Sequence, residues 1–220
     1  MRKFVVPSLT LALLTASAVA AWGQAPAAVA ASAPDPARGR QAYAMCATCH
    51  GALGEGQAAI DAPALGGQLP SYIERQLKDY RAGLRGAHPD DVPGNRMRML
   101  ARSLPDEPLI ADLSAYIASL PASRSDRAVL GNSASGGKLY RTHCAACHGS
   151  RGEGQPALNA PRLAGLGDQY TLSQLQQFKL DRRAAPGNAL GQQMTQLARA
   201  TLTDERAMRD VVAYLSSLAR

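Results

Sequence analysis

The pentapeptide Cys46-Ala47-Thr48-Cys49-His50 recurs as Cys144-Ala145-Ala146-Cys147-His148, and these two copies use all four cysteines of the 220-residue chain. Each element of C-x-x-C-H has its own chemical task. Two thiols three positions apart add to the two vinyl groups of one porphyrin, and the adjacent histidine then turns its imidazole to the iron. The motif therefore predicts two covalent haem c groups, attached through Cys46, Cys49, Cys144 and Cys147, with His50 and His148 as iron ligands. It also limits the fold, because a porphyrin is a large apolar plate around which short helices pack.

The repeat extends well beyond the pentapeptides. A shift of 98 residues places Gly39 on Gly137, Gly54-Glu55-Gly56-Gln57 on Gly152-Glu153-Gly154-Gln155, and Ala62-Pro63 on Ala160-Pro161. It also places Tyr72 on Tyr170, Tyr80 on Phe178 and Tyr116 on Tyr214. So many landmarks at one offset define two copies of one unit. We read residues 37–120 as the first domain, 121–134 as a Ser-, Gly- and charge-rich linker, and 135–220 as the second domain. Units of this size have little room for a core, and a covalently held haem supplies the staple they need.

The periodicity is helical. Leu109, Ile110, Leu113, Tyr116, Ile117 and Leu120 form a stripe of period 3.6, matched by Val211, Val212, Tyr214, Leu215 and Leu218. No comparable strand alternation is present, so the fold class is all-α. Thr203-Asp204-Glu205 reads as a hydroxyl cap plus an acidic first turn for the last helix, whereas Pro105-Asp106-Glu107 keeps the acids and loses the hydroxyl. The segments from Gly39 to Cys46 and from Gly137 to Cys144 are expected to be the short helices that deliver the thiols.

A second axial ligand decides between a closed iron and an open one. The repeat selects Met97 and Met194, since each precedes a Leu-Ala-Arg by three residues, while Met99 aligns with Gln196. Both methionines sit in polar stretches that read as loops before the last helix, and Met99 is the alternative for the first haem. His88 and His143 have no counterpart in the other half and read as surface residues. The carbonyls near Pro63 and Pro161, each 13 residues after its histidine, are candidates to accept the imidazole's other N–H.

Residues 1–20 carry Arg2 and Lys3, an apolar run and small residues at Ala18-Val19-Ala20, the pattern of a secretory signal peptide. Residues 21–36 read as an Ala- and Pro-rich leader, able to tether the protein near a membrane if it is retained. Export to the periplasm fits thioether attachment, which, like disulfide formation, belongs outside the cytoplasm.

With Cys-x-x-Cys-His-Gly, Ala-Pro-x-Leu-x-Gly, an aromatic-bearing helix and a methionine following in the same order twice, the chain resembles the class I dihaem cytochromes c, most of all the cytochrome c4 family. The resemblance implies two tandem cytochrome c domains, each wrapped around one haem, related by a pseudo-twofold axis. It also implies a non-catalytic carrier that relays single electrons along a respiratory chain towards a membrane terminal oxidase. The alternatives are an electron-accepting subunit of a periplasmic dehydrogenase, or a dihaem peroxidase, which needs an iron with an exchangeable position. A zinc or thiol-redox protein would use the same cysteine pairs, but does not account for the histidine after both.

Charge bears on partners. Residues 37–120 hold nine basic and nine acidic side chains, whereas residues 135–220 hold eleven basic and six acidic. The basic second domain is thus expected to dock an acidic redox partner, with Lys179, Arg182 and Arg183 as the residues to test. Nucleic acid is excluded as a partner for an exported haem protein.

Overall fold

Prolines and short polar side chains set where the helices begin. The computed structural model describes residues 1, 3, 33–122 and 129–218. The signal peptide expected over 1–20, most of the leader over 21–36 and the centre of the linker lie outside them. In the first half, α1 (Pro36–His50), a single 3-10 turn (Ala58–Ile60), α2 (Pro70–Ala82), α3 (Val92–Ser103) and α4 (Glu107–Ser119) follow one another. The second half repeats this with α5 (Ser133–His143), α6 (Ala145–His148), a 3-10 turn (Pro156–Leu158), α7 (Asp168–Lys179), α8 (Ala189–Thr201) and α9 (Glu205–Leu218). Among the described residues there is no strand, only isolated bridges. The all-α reading holds.

The expected caps need a correction. Asp204 Oδ1 accepts the Ala207 N–H at 2.8 Å, and Asp106 Oδ1 accepts that of Leu109 at 2.8 Å, so the aspartate caps the last helix in both halves. Neither end lacks a cap, because the acid one place after Thr203 does what was assigned to the hydroxyl. The methionine segments also differ from expectation: Met97 and Met194 lie inside α3 and α8, not in loops. Asp91 and Asn188 nucleate these helices by accepting the N–H groups of Gly94 and Gly191 at 3.0 and 2.9 Å. The thiol-bearing segments are unequal as well. α1 runs unbroken through Cys46, Cys49 and His50, whereas Cys144 interrupts its counterpart at φ −114°.

Each thiol helix packs across the last helix of its own half, α1 on α4 and α5 on α9. Tyr43 tilts against Tyr116 with ring centroids 5.3 Å apart, and Tyr140 against Tyr214 at 5.4 Å. Ile110, Leu113 and Ile117 in α4, and Val211, Val212 and Leu215 in α9, are buried as the stripe requires. Burying each such side chain contributes on the order of 2 kcal/mol. Buried acids pin the incoming chain: Asp112 accepts the Asp35 N–H at 2.7 Å and pairs with Arg38, and Asp210 accepts the Asn132 N–H at 2.6 Å.

The described residues from 34 to 218 form one body, and the two halves meet through paired hydrogen bonds. Gln68 donates to the Arg162 carbonyl and accepts the Arg162 N–H, both at 2.9 Å. Ala64 N–H reaches Leu166 O at 3.2 Å, and Ala185 N–H reaches Leu84 O at 3.0 Å beside an antiparallel bridge between Arg85 and Ala184. An ion pair, Arg182 with Asp90 at 3.1 Å, closes the edge.

Candidate haem site

The loop after each C-x-x-C-H is built to orient the histidine. Gly56 N–H donates to the His50 carbonyl at 2.8 Å, and Gly154 N–H to that of His148 at 2.8 Å. Both glycines hold positive φ, and a Cβ on either would collide with the backbone at Pro63 or Pro161. Only glycine lets this strand of backbone approach so closely. The Pro63 and Pro161 carbonyls thereby come within 2.9 and 3.0 Å of Nδ1 of His50 and His148. A carbonyl can only accept, so Nδ1 carries the proton and Nε2 keeps its lone pair for a metal. Tyr43 and Tyr140 brace the same turn by donating to the carbonyls of Gly51 and Gly149 at 2.8 and 2.7 Å.

Both imidazoles are buried, His50 to 6% and His148 to 4% exposure. Burial lowers their pKa against the raising effect of the carbonyl bond, so both rings are neutral at neutral pH. The leading thiols respond in the opposite direction. Burial, with the neighbouring cysteine adding to it, pushes Cys46 and Cys144 up to about 11. A redox-active or metal-binding cysteine needs a depressed pKa, so thiol exchange is disfavoured here. Among the described residues no three His, Cys, Asp or Glu side chains gather into a group able to hold a metal ion.

In the first half, Cys46, Cys49 and His50 line a cleft whose far wall comes from α3. Met97, Leu100, Ala101 and Leu104 all face it, at spacings i, i+3, i+4 and i+7. That periodicity was a readable helix signal, masked by the arginines between these residues. Met99 is 68% exposed and does not line the cleft. In the second half Met194 packs against the core cluster that contains Tyr140 and Leu172. His143 is exposed, and His88 uses Nδ1 to accept the Asp90 N–H at 3.2 Å. The apolar walls, paired thiols and a free Nε2 fit a covalently held porphyrin.

The first cleft is not made by the first half alone. Leu166, Tyr170 and Gln174 from the second half also line it, a contribution the sequence did not reveal. The same contact surface corrects the docking residues. Arg183 is 8% exposed and sits between the halves, and Lys179 donates to the Leu202 and Thr203 carbonyls at the end of α8. Arg182 is held by Asp90. A positive side chain in a polar stretch looks the same whether it faces solvent or an interface, so the charge count could not separate them.

Comparison with known proteins agrees with this geometry. The family model described as Cytochrome c matches residues 36–121 and again 133–219. Cytochrome c4 of Azotobacter vinelandii is 32% identical over 198 residues, covering 86% of each chain. A thiosulfate dehydrogenase electron acceptor of Stutzerimonas stutzeri is 33% identical over 187 residues, covering 80% of this chain and 79% of its own. The crystal structure of reduced recombinant cytochrome c4 from Pseudomonas stutzeri superposes with a TM-score of 0.67 at 28% identity, over 83% of this chain and 98% of that one.

Proposed function

Because the chain belongs to the cytochrome c family, as a tandem dihaem class I electron carrier most like the cytochromes c4, we propose that it passes single electrons between partner proteins through two closed, six-coordinate sites. When bound, each haem supplies a one-electron iron couple. His50 and Met97 hold the first iron in this reading, and His148 and Met194 the second. The Pro63 and Pro161 carbonyls fix each imidazole's tautomer and direction, and the apolar walls keep water from the metal. A thioether ligand favours the ferrous state and raises the potential relative to a second histidine.

The observation that carries the reading is the lining of the first cleft by Met97 together with His50, with Met99 outside it. A methionine placed to occupy the sixth position leaves no exchangeable site for peroxide, which favours a carrier over a peroxidase. The proposed compartment is the periplasm, and among the described residues no helix is long and apolar enough to cross a membrane. The proposed destination of the electrons is a membrane terminal oxidase. A second reading, acceptor for a periplasmic dehydrogenase, is favoured by the similarity to the thiosulfate dehydrogenase electron acceptor.

Met97→Ala and Met194→Ala test the ligands directly. Each is expected to remove half of the weak far-red band that iron–thioether bonding gives the oxidised protein and to lower one of the two potentials, while Met99→Ala leaves both unchanged. A full band in Met97→Ala together with its loss in Met99→Ala would transfer the assignment to Met99.

A further inference from the structure

Each peptide that anchors a motif histidine is also hydrogen-bonded by the opposite half. The Pro63–Ala64 peptide accepts from His50 Nδ1 through its carbonyl and donates through its N–H to Leu166 O at 3.2 Å. The Pro161–Arg162 peptide accepts from His148 Nδ1 and donates to Gln68 Oε1 at 2.9 Å. Residues 68 and 166 occupy one position of the 98-residue repeat. Gln68 acts with its side chain and Leu166 with its main-chain carbonyl, so the crossing is reciprocal in place and unequal in chemistry.

Gln68 is 5% exposed, and its amide is committed to this contact. Nε2 donates to the Arg162 carbonyl at 2.9 Å, while Oε1 accepts from the Arg162 and Leu69 N–H groups, each at 2.9 Å. These partners leave the amide a single orientation, since reversing it would set donor against donor and acceptor against acceptor.

A peptide is a resonant unit, so a hydrogen bond donated by its N–H leaves more negative charge on its oxygen. Bonds linked in this way strengthen one another by roughly 10–30% each. The Gln68 bond therefore makes the Pro161 carbonyl a better acceptor for the His148 Nδ1 proton. An imidazole that gives up more of that proton is more basic at Nε2, and a more basic ligand favours ferric iron. We propose that Gln68, from the first half, is a positioning residue for His148, and that it holds the second haem at a lower potential than the second half alone would give. This rests on the ligation of the second haem by His148 proposed above, and not on either methionine.

The test is NMR of the reduced holoprotein labelled at its histidine ring nitrogens, combined with spectroelectrochemical titration of the two haems. Contacts to the Pro161 and Pro63 loops tell the Nδ1 protons of His148 and His50 apart. Gln68→Leu is expected to move the His148 Nδ1 proton upfield, to speed its exchange with solvent and to raise the second-haem potential, with the His50 proton in place. Gln68→Glu keeps an acceptor for the Arg162 N–H and makes it charged, so the His148 proton is expected to move downfield. Opposite displacements of one proton by two substitutions at one site are not what a general loosening of the halves produces. If Gln68→Leu does not accumulate, Gln68→Glu carries the test alone. An unmoved His148 proton in the variants measured, a displacement confined to His50, or equal displacement of both histidines overturns the proposal. Failure of the ligand reading itself looks different: the His148 ring of the wild type would then lack the large shifts that a porphyrin imposes on its axial ligand.

Discussion

Gly136 sits where α5 crosses α9, and a Cβ there would fall inside the van der Waals distance of the Asp210 carbonyl. Alanine normally gains about 1 kcal/mol over glycine inside a helix. Here the clash is with backbone that cannot move aside, and overpacking of this kind costs about 1–3 kcal/mol. Gly136→Ala is therefore expected to lower stability by about 1 kcal/mol net, read from denaturant unfolding of the holoprotein. Gly137→Ala meets only side-chain atoms of Arg141 and Tyr214 at 3.0 Å, which can shift, and is expected to be close to neutral. In the first half it is Gly39 whose Cβ would strike the matching carbonyl, that of Asp112. The 98-residue offset had paired Gly39 with Gly137, one place away from the glycine that does this work. Alignment counts residues from the cysteines, whereas a helix crossing depends on rotation about the axis, and one residue is about 100° of turn. The motif cysteines, the histidines and the Pro63 and Pro161 carbonyls were legible because each depends on a fixed local spacing.

Among the elements, α3 and α8 matter most, since they carry Met97 and Met194. Their sequences read as polar loops because the apolar positions are few and separated by polar side chains, and in α3 the stripe that should reveal a helix is four residues facing a cleft. The caps were visible as residue types, Asp91 and Asn188, but a cap identifies a helix only once the run behind it is recognised. Removing either cap is expected to loosen the methionine before it unfolds the half. Asp91→Ala should cost about 1 kcal/mol, the usual value for a lost N-cap. Asn188→Ala should cost more, because Asn188 Nδ2 also donates to Asp79 Oδ2 at 3.2 Å and to the Leu84 carbonyl at 3.3 Å, both in the other half. Guanidinium titration followed by the far-red band checks both, with the band lost ahead of helical signal. Coincident loss of band and helix in both variants would show that the caps have no separate hold on the methionines.

At the scale of the molecule, the repeat announced two units and said little about how they join. Tyr72 with Tyr170 and Arg85 with Arg183 recur at the offset, yet recurrence is equally consistent with two independent haem pockets. Their crossing, each arginine bonded to the other half's tyrosine, needs coordinates to be seen. It removes Arg183 from the surface and leaves Lys138, Arg141, Arg151, Arg199 and Arg206 as the exposed basic side chains among the described residues of the second half. Of these, Arg141 and Arg151 flank Cys144 and His148 three residues away on either side, so they lie nearest the attached cofactor in sequence. Long-range steering acts through such groups and is screened beyond about 10 Å at 0.1 M salt. The double variant Arg141→Glu with Arg151→Glu is expected to slow reduction by an anionic iron complex at low salt by about tenfold and to flatten its ionic-strength dependence. The potentials should be unchanged, because both side chains are exposed. Stopped-flow rates across a salt series give the answer, and a rate and salt slope equal to those of the wild type would place the electron-exchange surface elsewhere than on the basic half.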